Sequence, residues 1–453
     1  MSSIYKDDIS KNPVVRSFQY FFINTSAGGI TLIIATAIAM IWANSPWHDT
    51  YHHFWHELYM NISFGAFTLF KGSFAHFIND GLMVIFFFFV GLEIKRELLI
   101  GELSSIKKAM LPIMGAIGGV VLPVIIYSAM NWGSAEASNG RAIPMATDIA
   151  FALGILALLG PRVPLALKVF LAALAIVDDL MAVLVIALFY GGEIQLMYLI
   201  IGGIITLIMA ILNKLNVNKV SIYSVFAVAL WYCFLESGVH ATVAGVVAAF
   251  TIPSVSVIDR HKFVERTSSL WASFKNLYSI NLSNHLSDNE ESTIQAIEIG
   301  LEKVQSPLHR TEHFLNYPVA FMIMPIFALA NAGVYMGNFT AEAFTNNITM
   351  GIILGLIFGK IIGVTFFAWL SVKFKIASLP TNINYVHIFA VSILCGIGFT
   401  MALFVSNLSF PAHPEYNDYA KVGILIASTI AAFSGYIVLK RQLNKDEQVE
   451  TNS

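Results

Sequence analysis

The sequence is poor in charged residues and in cysteine. Asp, Glu, Lys and Arg make up 12% of its 453 residues, whereas soluble domains carry about 25%. The two cysteines, Cys233 and Cys395, are too few and too far apart for a disulfide framework or a cysteine metal site. The chain also lacks a basic arm or a stripe of basic and aromatic residues, so no nucleic-acid partner is expected. These shortages exclude a typical soluble domain, a disulfide scaffold and a nucleic-acid-binding protein.

Long apolar runs are abundant instead. Hydrophobic residues make up 57% of the chain, and about twelve windows approach the ~20 residues with which a helix crosses a bilayer. This pattern predicts an all-α polytopic membrane protein of about twelve transmembrane helices, with the lipid bilayer as its permanent partner. We expect neither enzymatic activity nor a cofactor.

Lysine and arginine are concentrated on one side of the predicted helices. Because cytoplasmic loops are enriched in these residues, both termini are predicted to lie in the cytoplasm. The expected organisation is a cytoplasmic N-terminal segment (1–26), a membrane domain (27–440) and a cytoplasmic tail (441–453). The mixed charge of the first segment argues against a cleaved signal peptide.

Two connections are unusually long and polar. Residues 46–76 are aromatic and turn-rich, and the alternation from Ile62 to Phe70 predicts an outer loop with a possible β-hairpin. Residues 254–310 are charged and rich in Ser and Asn, which predicts a long cytoplasmic loop of mixed order.

Charged residues inside the apolar runs are rare and therefore informative. Asp178 and Asp179 lie in the middle of an otherwise uncharged run, residues 169–190. One charged side chain at the centre of a bilayer costs roughly 2.5 to 3.5 kcal/mol on insertion scales. Asp148 and Lys360 also fall well inside predicted spans. Lys360 is the expected partner of one aspartate, because burying either charge alone costs more than burying the pair.

These charges allow two interpretations. An Asp–Lys pair could be structural glue between helices, but that leaves at least two carboxylates unpaired. Alternatively, protons and hard cations such as Na⁺ or Li⁺ visit the site, with Asp178 and Asp179 as metal ligands and Asp148 and the hydroxyl of Thr147 as further candidates for ion or proton binding. Competition between a proton and a cation for the same carboxylates is by itself an exchange mechanism.

Two apolar runs carry helix-breaking residues at mid-membrane positions. Residues 142–154 contain Pro144 beside Thr147 and Asp148, and residues 395–401 contain Gly396 and Gly398. Each could be a close-packing site between membrane helices. Together with the charges they favour broken helices, which in transporters indicate a binding site at the membrane midplane.

Several of these motifs closely resemble the NhaA-type sodium/proton antiporters. The resemblance is carried by residues 89–98, 146–154, 162–168, 172–179, 237–245, 330–334, 359–360 and 395–400. It implies two inverted three-helix repeats, built from the third to fifth and the tenth to twelfth spans, with the fourth and eleventh helices broken and crossing. It also implies electrogenic extrusion of Na⁺ or Li⁺ in exchange for inward protons, by alternating access, across a bacterial cytoplasmic membrane.

The resemblance implies roles for individual residues. Asp178 and Asp179 would bind the ion or the proton, while Asp148 and Lys360 would balance the charges of the half-helix ends. Lys360 would additionally pair with Asp178. A pH-sensing cluster would comprise Glu93, Arg96, Glu97 and Glu312. The outer loop 46–76 would mediate a homodimer.

His240 is a further candidate for pH sensing, because an unperturbed histidine has a pKa of about 6.5 and so titrates near physiological pH. The chain departs from the family pattern at Asn316, where a histidine is common, and in its longer inner loop. The alternatives are a sodium-coupled solute symporter of the same fold, and a proton or cation channel or a membrane pH sensor.

Overall fold

The computed structural model describes residues 13–65, 67–280, 286–338, 341–380 and 383–452. Residues 1–12 of the predicted N-terminal segment, and Ser453 of the predicted tail, lie outside the described part. Almost all regular structure is helical, and the elements follow one another as α1 (Pro13–Ala43), α2 (His48–His52), β1 (Tyr59–Phe64), β2 (Phe67–Ser73), α3 (Phe74–Phe77), α4 (Met83–Ile100), α5 (Ile106–Met130), α6 (Ile149–Leu158), α7 (Leu165–Phe189), α8 (Leu196–Lys214), α9 (Val220–Ser237), α10 (Ala241–Thr251), α11 (Arg260–Ile280), α12 (Asp288–Val304), α13 (Pro307–Pro318), α14 (Met324–Asn331), α15 (Ala341–Thr345), α16 (Asn347–Leu354), α17 (Lys360–Lys373), α18 (Tyr385–Leu394), α19 (Phe399–Ser409) and α20 (Pro414–Asn452).

Short irregular helical segments adjoin or link these elements. Those with 3₁₀ geometry are Glu102–Ser104, Ala137–Met145, Gly160–Arg162 and Met336–Asn338, and those with π geometry are His53–Glu57, Ile78–Leu82, Val319–Ile323 and Gly355–Gly359. Several continue directly into an α-helix, so that a single span combines two or more of them.

Nine helices of the described chain are long and apolar enough to cross a membrane, and a bent pair brings the number to ten. The nine are Phe74–Ile100, Ile106–Met130, Ala137–Leu158, Leu165–Phe189, Leu196–Lys214, Val220–Ser237, Pro307–Asn331, Asn347–Lys373 and Pro414–Gln448. The pair is α18 and α19, which meet at 48°. Ala27–Ala43 and Ala241–Thr251 are apolar but shorter. α10 in particular would span about 17 Å of a hydrocarbon core that is about 30 Å thick. The protein is therefore a multi-pass membrane protein with nine or ten full-length spans in the described chain, and the predicted number of about twelve is not confirmed.

α5 and α17 pack backbone to backbone through glycine. Gly351, Gly355, Gly359 and Gly363 recur every fourth residue, and so lie on one face of the span Asn347–Lys373. A side-chain carbon added at Gly363 would overlap the carbonyl of Gly118 in α5. Small residues let membrane helices approach closely. This approach places Lys360, at the start of α17, in the interior of the bundle, where none of its surface is exposed.

We expect Gly363→Ala to destabilise the protein by about 1–3 kcal/mol, because the added methyl must push α5 and α17 apart. The measurement is thermal unfolding of the purified protein in detergent. Gly203→Ala is the matched control, since a side-chain carbon there meets nothing within 4 Å. The control should be neutral or slightly stabilising, because alanine is the better helix former. Equal melting temperatures for the two variants would contradict the close approach.

The segment 46–76 contains a β-hairpin. β1 and β2 pair antiparallel, from Tyr59 opposite Ser73 to Phe64 opposite Phe67, with a bulge between Ile62 and Ser63. Gly65 in the turn has a φ of +64°, a conformation that suits glycine. The hairpin therefore lies at the positions where the alternation predicts it.

The segment 254–310 differs from the predicted loop of mixed order, because most of it is helical. α11 and α12 pack against each other in antiparallel fashion, with Phe263 close to Gly300. A capping box starts α12, in which Ser287 and Glu290 satisfy each other's backbone amides. Polarity indicated a loop, but the capping signal and the spacing of apolar residues specify helices.

Candidate ion-binding site

α7 carries the two aspartates into the core of the bundle. Asp178 and Asp179 are 1% and 2% exposed, and they occupy the centre of a 25-residue helix. Neighbouring residues of a helix project about 100° apart. The two carboxylates therefore face different neighbours, as the sequence predicts.

Asp178 forms the predicted ion pair with Lys360. Lys360 Nζ lies 2.6 Å from Asp178 Oδ2, and neither side chain is exposed. The hydroxyl of Thr147 also donates to Asp178 Oδ2 at 2.7 Å, and it lies 3.0 Å from the carbonyl oxygen of Cys395. Asp178 Oδ1 is buried and has no hydrogen-bond partner among the described residues. One carboxylate oxygen is thus held by two donors while the other is available to a proton or cation.

Asp179 lies in a region of concentrated negative charge. Its carboxylate is buried in the apolar interior, where Asp178, Glu93 and Asp148 are the neighbouring acidic groups and Lys360 is the neighbouring cation. For the part of the chain that the structure covers, no hydrogen bond or ion pair holds its carboxylate. Because like charges in a low-dielectric interior repel strongly, a proton or cation bound at Asp179 relieves this repulsion.

Asp148 joins the two helix breaks. The chain is non-helical at residues 146–148 and again at 395–398. The Asp148 amide donates to the carbonyl of Ile397 at 2.7 Å. Its carboxylate accepts from the Phe151 amide at 3.0 Å, from the Thr400 amide at 3.1 Å and from the Thr400 hydroxyl. The negative side chain therefore lies at the N-terminal ends of both α6 and α19, where helix dipoles favour an anion.

The structure brings together oxygen atoms from α7 and from the two breaks. In the described chain, no group of three or more His, Cys, Asp and Glu residues could hold a metal ion. A hard cation at Asp178 and Asp179 would therefore complete its coordination with hydroxyl oxygens, backbone carbonyls or water, all of which suit such ions.

Comparison with known proteins decides the family. A family model described as Na⁺/H⁺ antiporter 1 matches residues 19–439. The chain belongs to this antiporter family. A protein named Na⁺/H⁺ antiporter NhaA from Koribacter versatilis is 46% identical over 432 residues, which cover 95% of this chain and 92% of the relative.

Two further relatives agree with this assignment. One named Na⁺/H⁺ antiporter NhaA 1, from Saccharophagus degradans, is 44% identical over 434 residues, or 95% of this chain and 92% of the relative. Another named Na⁺/H⁺ antiporter NhaA, from Vibrio campbellii, is 44% identical over 443 residues, or 98% and 99% of the two chains. The predicted NhaA-type family is confirmed. Antiporters are transporters rather than enzymes.

In this antiporter-family chain, four of the five residues predicted to sense pH form one cluster. Arg96 pairs through Nε with Glu312 at 2.8 Å and through Nη1 with Glu97 at 2.8 Å. Glu97 also accepts from the Glu102 amide, and Glu312 Oε2 is buried without a partner among the described residues. Glu93 is 6% exposed and is the member of the cluster that interacts with Asp179. Repulsion between Glu93 and Asp179 gives the cluster an electrostatic connection to the site.

His240 lies apart from that cluster. It begins α10, where its side chain accepts from the Thr242 amide, and its Nε2 is 3.4 Å from Asp80. Asp80 precedes α4 while Arg96 is near its end, so the two sites are about 24 Å apart along the helix. The five predicted residues therefore do not form a single site.

Thr400 and four asparagines make buried hydrogen bonds that the sequence motifs did not predict. Thr400 stands inside a recognised motif, yet its bond to Asp148 joins residues 252 positions apart. Asn79, Asn331, Asn407 and Asn417 form a hydrogen-bonded chain through α14, α19 and α20. An uncharged asparagine within an apolar run does not stand out in the sequence as a charged residue does. The apolar surroundings of these asparagines were nevertheless visible in the sequence.

Proposed function

We propose that this protein exchanges Na⁺ or Li⁺ for H⁺ at Asp178 and Asp179. The observation that carries the proposal is the arrangement of Asp178, with one oxygen held by Lys360 and Thr147, the other without a partner, and a second carboxylate beside it. The names of the relatives support the choice of Na⁺ and H⁺.

The exchange follows from competition for the same carboxylates. A cation that binds Asp178 must replace the favourable charge of Lys360, so ion binding and the Lys360–Asp178 pair oppose each other. Binding of one Na⁺ would release two protons, one from Asp179 and one from the Lys360–Asp178 pair as it separates, and the exchange of two protons for one Na⁺ is electrogenic. Inward movement of protons down their gradient would then drive Na⁺ outward by alternating access, with the two broken helices exposing the site to each side in turn.

The architecture implied by the family belongs to the same proposal. Ala27–Ala43 and Ala241–Thr251 would also lie within the bilayer, which with the bent pair gives twelve spans, six of them in two inverted repeats. The positive-inside rule supports cytoplasmic termini in a bacterial inner membrane. The cluster around Arg96 would regulate exchange by pH. A homodimer through residues 46–76 stays a prediction, which a mass measurement in detergent would check.

The test is collapse of an imposed pH gradient in proteoliposomes. Addition of Na⁺ or Li⁺ should dissipate the gradient in the wild-type protein. Asp178→Asn and Asp179→Asn should each abolish the response, because an amide can neither bind a proton reversibly nor balance a cation. Asp288→Asn, which changes an exposed carboxylate at the start of α12, is the matched control and should behave as wild type.

Other outcomes would identify the alternatives. Full activity in Asp179→Asn would overturn the site assignment, and a response to K⁺ alone would overturn the choice of ion. A sodium-coupled symporter would respond only when an organic solute is added. A channel would dissipate the gradient without any cation exchange.

A further inference from the structure

Four asparagine amides form a layer at the end of the bundle opposite Arg96. Asn331, the last residue of α14, uses all its hydrogen-bonding capacity. Its Nδ2 donates to Asn79 Oδ1 at 3.0 Å and to the Phe327 carbonyl at 2.9 Å. Its Oδ1 accepts from Asn79 at 3.4 Å and from Asn407 at 2.7 Å. Asn407 in turn accepts from Asn417 at 2.8 Å.

This amide layer connects two groups of helices. Asn79 lies in the π-helical segment Ile78–Leu82, which continues into α4, and Asn331 ends α14. Asn407 and Asn417 belong to α19 and α20. α19 also carries Thr400, which binds Asp148 at the helix breaks. The hydrogen bond between Asn331 and Asn407 therefore joins α14 to a helix that helps to form the ion-binding site.

An aromatic layer lies between the amides and the site. The ring of Phe404 in α19 is 5.3 Å from that of Phe87 in α4 and 6.2 Å from that of Phe327 in α14, and none of the three is exposed. Phe404 is three residues before Asn407, and Phe327 is four before Asn331, so each pair shares a helix face. Along α19, Phe404 lies about 7 Å from the first residue after the break.

We propose that the aromatic layer and the Asn331–Asn407 hydrogen bond form the outer gate of the ion-binding site. The proposal rests on the proposed antiport, in which the site must open to each side in turn. A layer of buried phenyl rings stops a hydrated ion, as apolar constrictions do in channels. Separation of α19 and α20 from α4 and α14 opens the path and breaks the bond between Asn331 and Asn407.

Neutral amides suit a contact that breaks in every cycle. Hydrogen bonds between membrane helices contribute little net stability, and water entering an open gate replaces them at little cost. A buried ion pair at the same place would resist separation far more strongly. The Asn407–Asn417 hydrogen bond, within the α19–α20 group, remains intact when the gate opens.

Disulfide crosslinking distinguishes the two hydrogen bonds. The test protein carries Cys233→Ser, Asn331→Cys and Asn407→Cys. Oxidation should reduce its exchange at least about tenfold, because a closed gate blocks a conformational step of the cycle. A reductant should restore the exchange. The control pair Asn407→Cys and Asn417→Cys also lacks the Asn331–Asn407 hydrogen bond, so it is compared with itself before oxidation. Oxidation should leave its rate of exchange unchanged. Full exchange in the crosslinked Asn331–Asn407 pair would overturn the gate.

A second measurement does not depend on transport. It tests the gate even if a cysteine-pair variant shows no ion exchange before oxidation. Cys395 lies at the second break and is unexposed in this structure. With Cys233 replaced by Ser, an impermeant thiol reagent on the outer side should label Cys395 several-fold faster in Asn407→Ala than in the parent. Asn417→Ala should label at the parent rate. Equal rates for the parent and Asn407→Ala would refute the gate, whichever ions the protein exchanges.

Discussion

Asp148→Ala is expected to lower the stability of the folded protein by about 3 kcal/mol or more, because each unsatisfied buried donor costs about 1–3 kcal/mol. Three donors lose their acceptor, namely the amides of Phe151 and Thr400 and the hydroxyl of Thr400. Asp148 is fully buried, and water does not reach it to replace the carboxylate. The loss is large beside a total stability of roughly 5–15 kcal/mol.

The measurement is the thermal midpoint of monodisperse protein in detergent, together with the yield from membranes. Asp148→Asn is the matched control, because its amide oxygen still accepts hydrogen bonds while the charge is removed. It should fall between wild type and Asp148→Ala. If Asp148→Ala melts at the wild-type temperature, Asp148 does not hold the two breaks together.

Lys360→Met should be the second most disruptive change. Removing one partner of a buried ion pair typically costs about 3–5 kcal/mol, because the remaining charge is left without compensation. Lys360 and Asp178 are fully buried, and the other donor to Asp178, Thr147, is neutral. Sodium-dependent exchange should be lost as well, because without Lys360 no cationic side chain remains to displace the bound Na⁺ from Asp178 and complete the cycle.

A double variant separates the ion pair from simple packing. Lys360→Met combined with Asp178→Asn removes both charges, and its melting temperature should recover most of the loss. Lys275→Met, an exposed lysine of α11, controls for the change of residue type and should melt as wild type. If the double variant is no more stable than Lys360→Met, the stability came from the packing of the lysine stem instead of its charge.

The sequence predicted which charges are buried in the bundle better than it predicted the lengths of the helices. Intramembrane charge is so costly that Asp148, Asp178, Asp179 and Lys360 stood out in a chain of mostly apolar spans. The helix breaks were visible because Pro144, Gly396 and Gly398 interrupt those spans. The number of full-length spans was harder to predict, since α10 is as apolar as its neighbours but too short to cross alone.

Polar segments were less predictable than apolar ones. The outer hairpin followed from alternation, because strand side chains alternate between faces. The helices α11 and α12 were not predicted, because charged helices and charged loops have similar compositions and the polarity of the segment outweighed the capping signal and the apolar spacing. The pairing of the two helices depends on contacts between them. The gathering of Glu93, Arg96, Glu97 and Glu312 was expected from the family resemblance, whereas the separation of His240 from them needed coordinates.

The sequence by itself determined three properties of this protein: that it belongs in a membrane, which of its charged residues lie inside the apolar spans, and which family it resembles. These properties depend on local composition and on the cost of placing charge in a bilayer. The family resemblance already implied that Lys360 pairs with Asp178. Only the tertiary structure decided that Thr400 satisfies Asp148 and that Asn331 meets Asn407. Each of these contacts joins residues far apart in the chain, and its geometry is set by how closely the glycine faces and helix breaks allow the backbones to approach.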